Sequence, residues 1–133
     1  MSSVTGRFSR SDRLRVSRDY RRVAAGAERR ASREFVVLAA PAGPLPTGRV
    51  RLGITASRKV GNAVVRNGVK RRVRSWFRGG RHSIDAGERG IDVVVIARRA
   101  AAELDGNDVA ERLDHMMKRF DWSAIAARER TVR

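Results

Sequence analysis

The chain has 133 residues, enough for a single folded domain with one modest hydrophobic core. Its formal net charge of +16 costs stability through self-repulsion and is typical of proteins that bind a polyanion such as nucleic acid. The absence of cysteine excludes disulfides and thiolate metal sites, and no apolar run approaches the roughly 20 residues of a membrane-spanning helix, so we expect a cytoplasmic protein with no membrane partner.

The N-terminal part of the chain is predicted to contain one short helix. Residues 1–12 are rich in Ser, Gly and Arg and are expected to form a flexible segment. The helix is predicted from Ser17 to about Ala25, because Ser17 can cap its start and Gly26 can end it. Tyr20 would lie on its apolar face.

Two strands are predicted next, over residues 34–40 and 49–57. The second alternates apolar and polar side chains, which is the period of a half-buried strand. Residues 41–48 carry all three prolines of the chain, which favours a surface connection between the strands. We expect the two strands to pair with each other in antiparallel fashion.

The second half of the chain is predicted to be helix, strand and helix. A basic helix is expected from Asn62, as N-cap, to Arg78, where two glycines follow. Residues 91–99 are almost continuously apolar, which favours a central strand. A last helix is expected over 108–120, before a C-terminal tail at 121–133. The order α-β-β-α-β-α predicts a single α+β domain with helices packed on a small sheet.

Acidic residues are absent from the middle of the chain. Between Glu34 and Asp85 lie 50 consecutive residues without an acid, and these hold eleven arginines and lysines. Eight of the eleven fall within residues 58–78, the segment that contains the basic helix. We therefore expect the cationic surface of the protein to be built mainly by this helix.

A helical projection of residues 62–78 separates cations from apolar residues. Val65, Val69, Val73 and Trp76 cluster on one side, although Phe77 falls close to Arg66. A helix face that only contacts solvent usually mixes positive and negative side chains, which form i,i+4 ion pairs. Here the side chains four residues apart carry like charges and repel each other. We therefore expect this face to bind phosphates. The polar and cationic side carries Arg66, Asn67, Lys70, Arg71, Arg74 and Arg78.

No active site is evident in the sequence. His82 and His115 belong to no metal-ligand pattern. None of the paired spacing of a two-metal nuclease is found among the acids Asp85, Asp92, Asp105 and Asp108. We expect neither a catalytic side chain nor a metal site in this chain.

The segment RLGITASRKVGNAVVRNGVKRRVR, residues 51–74, resembles the protein subunit of bacterial ribonuclease P. The resemblance continues in order in RLRVSRDYRRV before it and DVVVIARRAA after it, and covers residues 13–120, the predicted RNA-binding domain. A lone Arg-Asn pair would be weak evidence, but this long composite is specific. The matching positions are Ile54, Arg58, Lys59, Gly61, Ala63, Val64, Arg66, Asn67, Lys70, Arg71 and Arg74.

The resemblance implies a subunit of a ribonucleoprotein that cleaves the 5′ leader from precursor tRNA. A catalytic RNA with bound Mg²⁺ would carry out the cleavage, and the protein would grip the leader without an obligate protein partner. The implied fold resembles a ribosomal-protein domain, α-β-β-(β)-α-β-α, with a left-handed β-α-β crossover that ordinary chirality rules do not predict. The pattern of the residues predicts one strand fewer than the resemblance implies, and we expect the additional strand around residues 81–92.

The resemblance also implies where the RNA would bind. Arg66, Asn67, Lys70, Arg71 and Arg74 would face the catalytic RNA, extended by Arg58, Lys59 and Arg78. A leader groove would lie between the first helix and the sheet, lined by Tyr20, Val36 and Leu38. The chain departs from the family at Ala24 and Leu38, where aromatic residues are common, and at Gly68, where arginine is frequent, which puts base stacking on the leader in question.

Two other functions fit parts of the sequence. A ribosomal-type or chaperone RNA-binding protein without a processing role would share the composition. A self-sufficient metal-dependent nuclease would need an acid pair, for which the spacing of the acids gives no support.

Overall fold

The computed structural model describes residues 20–21, 23–24, 27–41, 50–80 and 90–127. The described parts form one mixed sheet with helices. The strands are β1 (Glu28–Ala31), β2 (Phe35–Pro41), β3 (Val50–Ala56) and β4 (Ile91–Ala97); the helices are α1 (Ala63–Gly80), a 3-10 helix (Arg99–Glu103), α2 (Gly106–Met117) and α3 (Trp122–Ala127). The prediction of an α+β domain is confirmed.

The sheet has the strand order β1-β2-β4-β3. β4 is antiparallel to β2 and parallel to β3, so the crossover from β3 to β4 contains α1. β4 is central, as its continuous apolar run predicts, because a strand covered on both faces needs apolar residues at successive positions. The left-handed sense of the crossover stays a prediction.

One prediction about the strands is wrong. β2 and β3 do not pair with each other, since β4 lies between them and bonds to both. An additional strand, β1, lies before β2. Residues 81–89, around which the missing strand was expected, lie outside the described residues. β1 has only four residues, Glu-Arg-Arg-Ala, without apolar alternation, so it is held by backbone pairing to β2 rather than by a pattern visible in the sequence.

The helix predictions agree with the described residues in place and type. Tyr20, Arg21, Val23 and Ala24 are helical, while the rest of the predicted first helix lies outside the described residues, as do residues 1–12. α1 continues through the two glycines that were expected to end it. Asp105 caps α2, and its side chain accepts a hydrogen bond from the Asp108 backbone N–H.

The hydrophobic core covers both faces of the sheet. The main cluster lies between the sheet and helices α1, α2 and α3, and it includes Phe35, Leu52 and Ile125. Because Ile125 belongs to this cluster, the packed chain continues beyond residue 120, where the tail was expected to begin. A smaller cluster on the opposite face contains Val23, Val36, Leu38, Ala40 and Val94.

A buried ion pair fixes the parallel β3–β4 pair on the face of the smaller cluster. Arg51 and Asp92 are register partners, and the guanidinium donates two hydrogen bonds of 2.8 Å to the carboxylate. The Asp92 side chain is fully buried, whereas that of Arg51 is 21% exposed. The pair therefore selects this register, since a slip by one residue would leave Asp92 buried beside an apolar residue.

Asp92→Ala is expected to lower the free energy of unfolding by about 2–3 kcal/mol. Removing one member of a fully buried pair costs about 3–5 kcal/mol, and the partial exposure of Arg51 lets water solvate its guanidinium and reduces the loss. Urea unfolding measures the effect. Glu103→Ala is the control, because Glu103 is exposed and its side chain forms no ion pair with a described residue. Equal stability of the two variants would contradict a structural role for the Arg51–Asp92 ion pair.

Candidate nucleic-acid interface

The turn between β3 and α1 presents two cations to solvent. Val60 is buried and anchors the turn, and its N–H donates to the Ser57 carbonyl at 3.0 Å. Arg58 and Lys59, which precede Val60, are exposed. They follow the end of β3 at Ala56, as expected from the predicted strand over residues 49–57.

Gly61 and Asn62 start α1 immediately after this turn. Gly61 has φ 156°, and a Cβ at this position would lie 2.8 Å from Val65 Cβ, so a larger residue would clash with the first turn of the helix. The Asn62 side chain accepts a hydrogen bond of 3.0 Å from the Val65 N–H, which confirms the predicted N-cap. The helix start is thereby fixed relative to Arg58 and Lys59.

The face of α1 that packs on the sheet is apolar, as predicted. Val69, Val73, Trp76 and Phe77 all belong to the main core. Phe77 points into the core, and Arg66 lies beside it at the border of the core. This arrangement explains why the two residues fall close together in the helical projection of residues 62–78. The Arg66 Nε is buried and has no hydrogen-bond partner among the described residues.

The opposite side of α1 carries the predicted polar and cationic residues. Asn67 and Arg71 are exposed, whereas Arg66 and Lys70, which we expected to be exposed, are half-buried. The methylene groups of such side chains cover apolar surface while their charges remain near water. Arg74 and Arg78 are likewise half-buried on this side.

Six of these cations have no carboxylate partner among the described residues. The ion pairs within the described ranges join Arg30 to Glu28, Arg51 to Asp92, and Arg112 to Glu34 and Glu111. No described carboxylate pairs with Arg58, Lys59, Arg66, Lys70, Arg71 or Arg78. Like charges on one rigid helix that have no carboxylate partner attract a concentrated layer of small anions. A polyanion that displaces this layer releases the small anions, and this release favours its binding.

Tyr20 joins the first helical segment to this surface. Its ring packs over Gly53 of β3, where a Cβ would lie 2.7 Å from the phenol carbon and oxygen, so only glycine leaves room for the ring. Burial raises the pKa of Tyr20, and a hydrogen bond with the Ile54 backbone and the charge of Arg74 lower it in part. Tyr20 is thus held between β3 and the cations of α1.

The residues predicted to line a leader groove lie together, but two of them are mostly covered. Val36 and Leu38 belong to the smaller cluster and are each only 8% exposed, and Tyr20 packs against this cluster. Thr55 and Ile96 extend the same face, because Thr55 is the register partner of Ile96 and Ile96 that of Val36. Thr55 is exposed and Ile96 half-buried, so both are more accessible than Val36.

Thr55 and Ile96 were missing from the predicted site. Strict alternation along β4 places Val94 and Ile96 on one face of the sheet, which is the signal that could have identified Ile96. Thr55 could not be assigned in this way, since its neighbour across the sheet depends on the parallel register of β3 and β4.

The described residues hold no alternative centre for chemistry. His115 is exposed, Asp92 is paired with Arg51, and His82 and Asp85 lie outside the described ranges. No group of three or more His, Asp or Glu side chains in the described part of the chain could hold a metal ion. None of the described helices is long and apolar enough to cross a membrane.

Comparison with known proteins identifies similar chains. The family model Ribonuclease P matches residues 8–121. A ribonuclease P protein component from Syntrophobacter fumaroxidans is 40% identical over 109 residues, which cover 82% of this chain and 87% of that protein. One from Shouchella clausii is 36% identical over 113 residues, covering 84% of this chain and 88% of that protein.

Solved structures show the same likeness. The RNase P protein from Staphylococcus aureus superimposes with a TM-score of 0.72 at 31% identity, covering 84% of this chain and 96% of that one. The RNase P protein from Thermotoga maritima gives a TM-score of 0.68 at 34% identity, covering 82% and 97% of the two chains.

Proposed function

The chain belongs to the ribonuclease P family, as its protein component, and we propose that it binds the catalytic RNA and the 5′ leader of precursor tRNA without supplying a catalytic side chain. The observation that carries the proposal is the acid-free face of α1. Its cations are fixed on a helix anchored in the core, and no described carboxylate neutralises Lys70, Arg71 or Arg78.

The catalytic RNA would bind to α1 and the turn before it. Arg58, Lys59, Arg66, Asn67, Lys70, Arg71, Arg74 and Arg78 would contact this RNA. Successive cations along α1 are one helical turn apart, about 5.4 Å, a spacing that lets one rigid element meet several phosphates. The buried Nε of Arg66 lacks a partner in the described part of the protein, and a phosphate oxygen could accept its hydrogen bond.

The leader would lie on the sheet face that carries Tyr20. Val36 and Leu38 form the floor beneath it, but their low exposure leaves Tyr20, Thr55 and Ile96 as the accessible contacts. A half-buried tyrosine and isoleucine offer apolar surface to unpaired bases without a sequence-specific hydrogen-bond pattern. We therefore propose a leader site with weak base preference.

The Mg²⁺ ions of the reaction would be held mainly by RNA phosphates. The described residues contain no group of carboxylates and histidines suited to a divalent cation, so we assign no step to a metal held by the protein. The role of this chain is to supply positive charge beside the phosphates, which lowers the repulsion between RNA and substrate.

Cleavage of precursor tRNA by ribonuclease P RNA at low Mg²⁺, with and without the protein, tests the proposal. We expect the protein to stimulate cleavage, and we expect no cleavage by the protein alone. Absence of stimulation would reject the processing role, and cleavage without RNA would reject the non-catalytic role.

A further inference from the structure

Of the six arginines and lysines of α1, only Arg72 has no place in the interface proposed above. A helical projection puts it on the other side of the apolar face from Arg66, and it is half-buried there. Its charged end lies beside Gly68. A Cβ on Gly68 would meet Arg72 Nη1 at 3.5 Å, Nη2 at 3.7 Å and Cζ at 3.8 Å, and these are its three nearest neighbours outside the adjacent backbone.

The backbone of α1 accounts for this position of the charge. Helical side chains lean toward the N-terminus of the helix, so an arginine reaches back over the residue four positions before it. Because Gly68 has no side chain, the terminal nitrogens of Arg72 occupy the space in which a long side chain at position 68 would lie. The charge of Arg72 is therefore presented about one helical turn before its own Cα.

The guanidinium of Arg72 has no partner in the described part of the protein. No ion pair or hydrogen bond there includes it. Among the described side chains, the buried nitrogen without a partner is Nε of Arg66, so the nitrogens of Arg72 remain open to solvent. Arg72 is thus a cation with unused hydrogen-bond donors, held close to a helix that the core anchors.

We propose that Arg72 binds a phosphate of the RNA partner at the surface position beside Gly68. Arginine offers paired N–H donors that match the oxygens of a phosphate. Val64, one turn before Gly68, is 80% exposed, so this side of α1 is open to a large partner. The inference rests on the proposed RNA-binding function and widens the cationic face of α1. It also returns a guanidinium to position 68, where the sequence departs from the resembled family by lacking an arginine.

Arg72→Met separates charge from packing, because methionine keeps an unbranched side chain that can cover the helix but has no cation and no N–H donor. With in vitro transcribed ribonuclease P RNA as the probe, we expect affinity to fall about tenfold or more, as for loss of one charged hydrogen bond. The slope of log affinity against log salt should fall in magnitude by about 0.7–0.9. Arg33→Ala removes the same charge from an exposed position between β1 and β2, outside the interface, and is the control that should change both quantities little.

A rescue experiment tests the position of the charge. Arg72→Ala removes the atoms nearest to a Cβ on Gly68, so Gly68→Arg can be added to it without a clash with the guanidinium. We expect Arg72→Ala to lose affinity as Arg72→Met does, and the double variant with Gly68→Arg to recover most of it. Gly106→Arg in the same Arg72→Ala background is the control, because it adds the same charge at an exposed glycine of α2 with open space around it, and it should restore nothing. Circular dichroism checks the helix content of each variant.

Wild-type affinity for Arg72→Met would show that Arg72 only packs on the helix and would overturn the inference. Failure of Gly68→Arg to restore affinity, or equal recovery by Gly106→Arg, would overturn it too, since the position of the charge would then not matter. If Arg71→Ala still weakens binding in these cases, the proposed function stands. If Arg71→Ala and Arg72→Ala both bind normally, the proposed function fails as well.

Discussion

Replacing Lys70, Arg71 and Arg78 together with alanine is expected to weaken binding of ribonuclease P RNA by at least about 1,000-fold, since charged hydrogen bonds contribute about 1.5–3 kcal/mol each and three of them about 4.5 kcal/mol or more. The slope of log affinity against log salt should fall in magnitude by about two to three, because each lost phosphate contact removes about 0.7–0.9. Titrations at several salt concentrations measure both quantities.

Folding should survive this triple substitution. The three side chains form no ion pair with a described residue, and alanine has the highest helix propensity. A charge-matched control replaces Arg29, Arg33 and Lys118, which are exposed and lie outside the acid-free segment. If both triple variants lose the same affinity and the same slope, net charge and not the α1 face governs binding.

Trp76→Ala is expected to lower the free energy of unfolding by about 3–5 kcal/mol, the range for truncating a buried aromatic residue. Trp76 is 8% exposed and belongs to the main core, and its Nε1–H donates to Asp114 Oδ1 at 2.7 Å. The substitution removes apolar contacts between α1 and α2 and also leaves this carboxylate without its donor. Urea unfolding monitored by circular dichroism measures the change.

Trp76→Phe separates the contribution of apolar packing from that of the hydrogen bond to Asp114. Phenylalanine retains much of the buried surface but cannot donate to Asp114, so the expected loss is smaller, about 1–2 kcal/mol including the smaller ring. Both variants should bind RNA normally wherever they are folded, because Trp76 faces the core. A loss below about 1 kcal/mol for Trp76→Ala would contradict the packing of α1 on the core.

Features that depend on local pattern could be predicted from the sequence. The 3.6-residue period of α1 separated Val69 and Val73 from the cations, and side-chain chemistry identified Asn62 as the cap. The apolar run of β4 indicated its central position. These predictions succeed because each rests on neighbours within one or two turns or one strand.

Features that depend on distant partners could not be predicted. β1 has no apolar pattern and forms only because β2 offers an edge. The burial of Asp92 and the exposure of Thr55 follow from the β3–β4 register, which brings residues 41 positions apart into contact.

The most direct test of the central claim maps the RNA that lies against α1. Because the chain has no cysteine, Arg71→Cys and Lys118→Cys each create a single attachment point for a tethered hydroxyl-radical reagent, one on α1 and one just after α2. We predict strong, localised cleavage of ribonuclease P RNA from position 71 and weak cleavage from position 118. Strong cleavage from position 118 with none from position 71 would show that the RNA binds elsewhere on the protein.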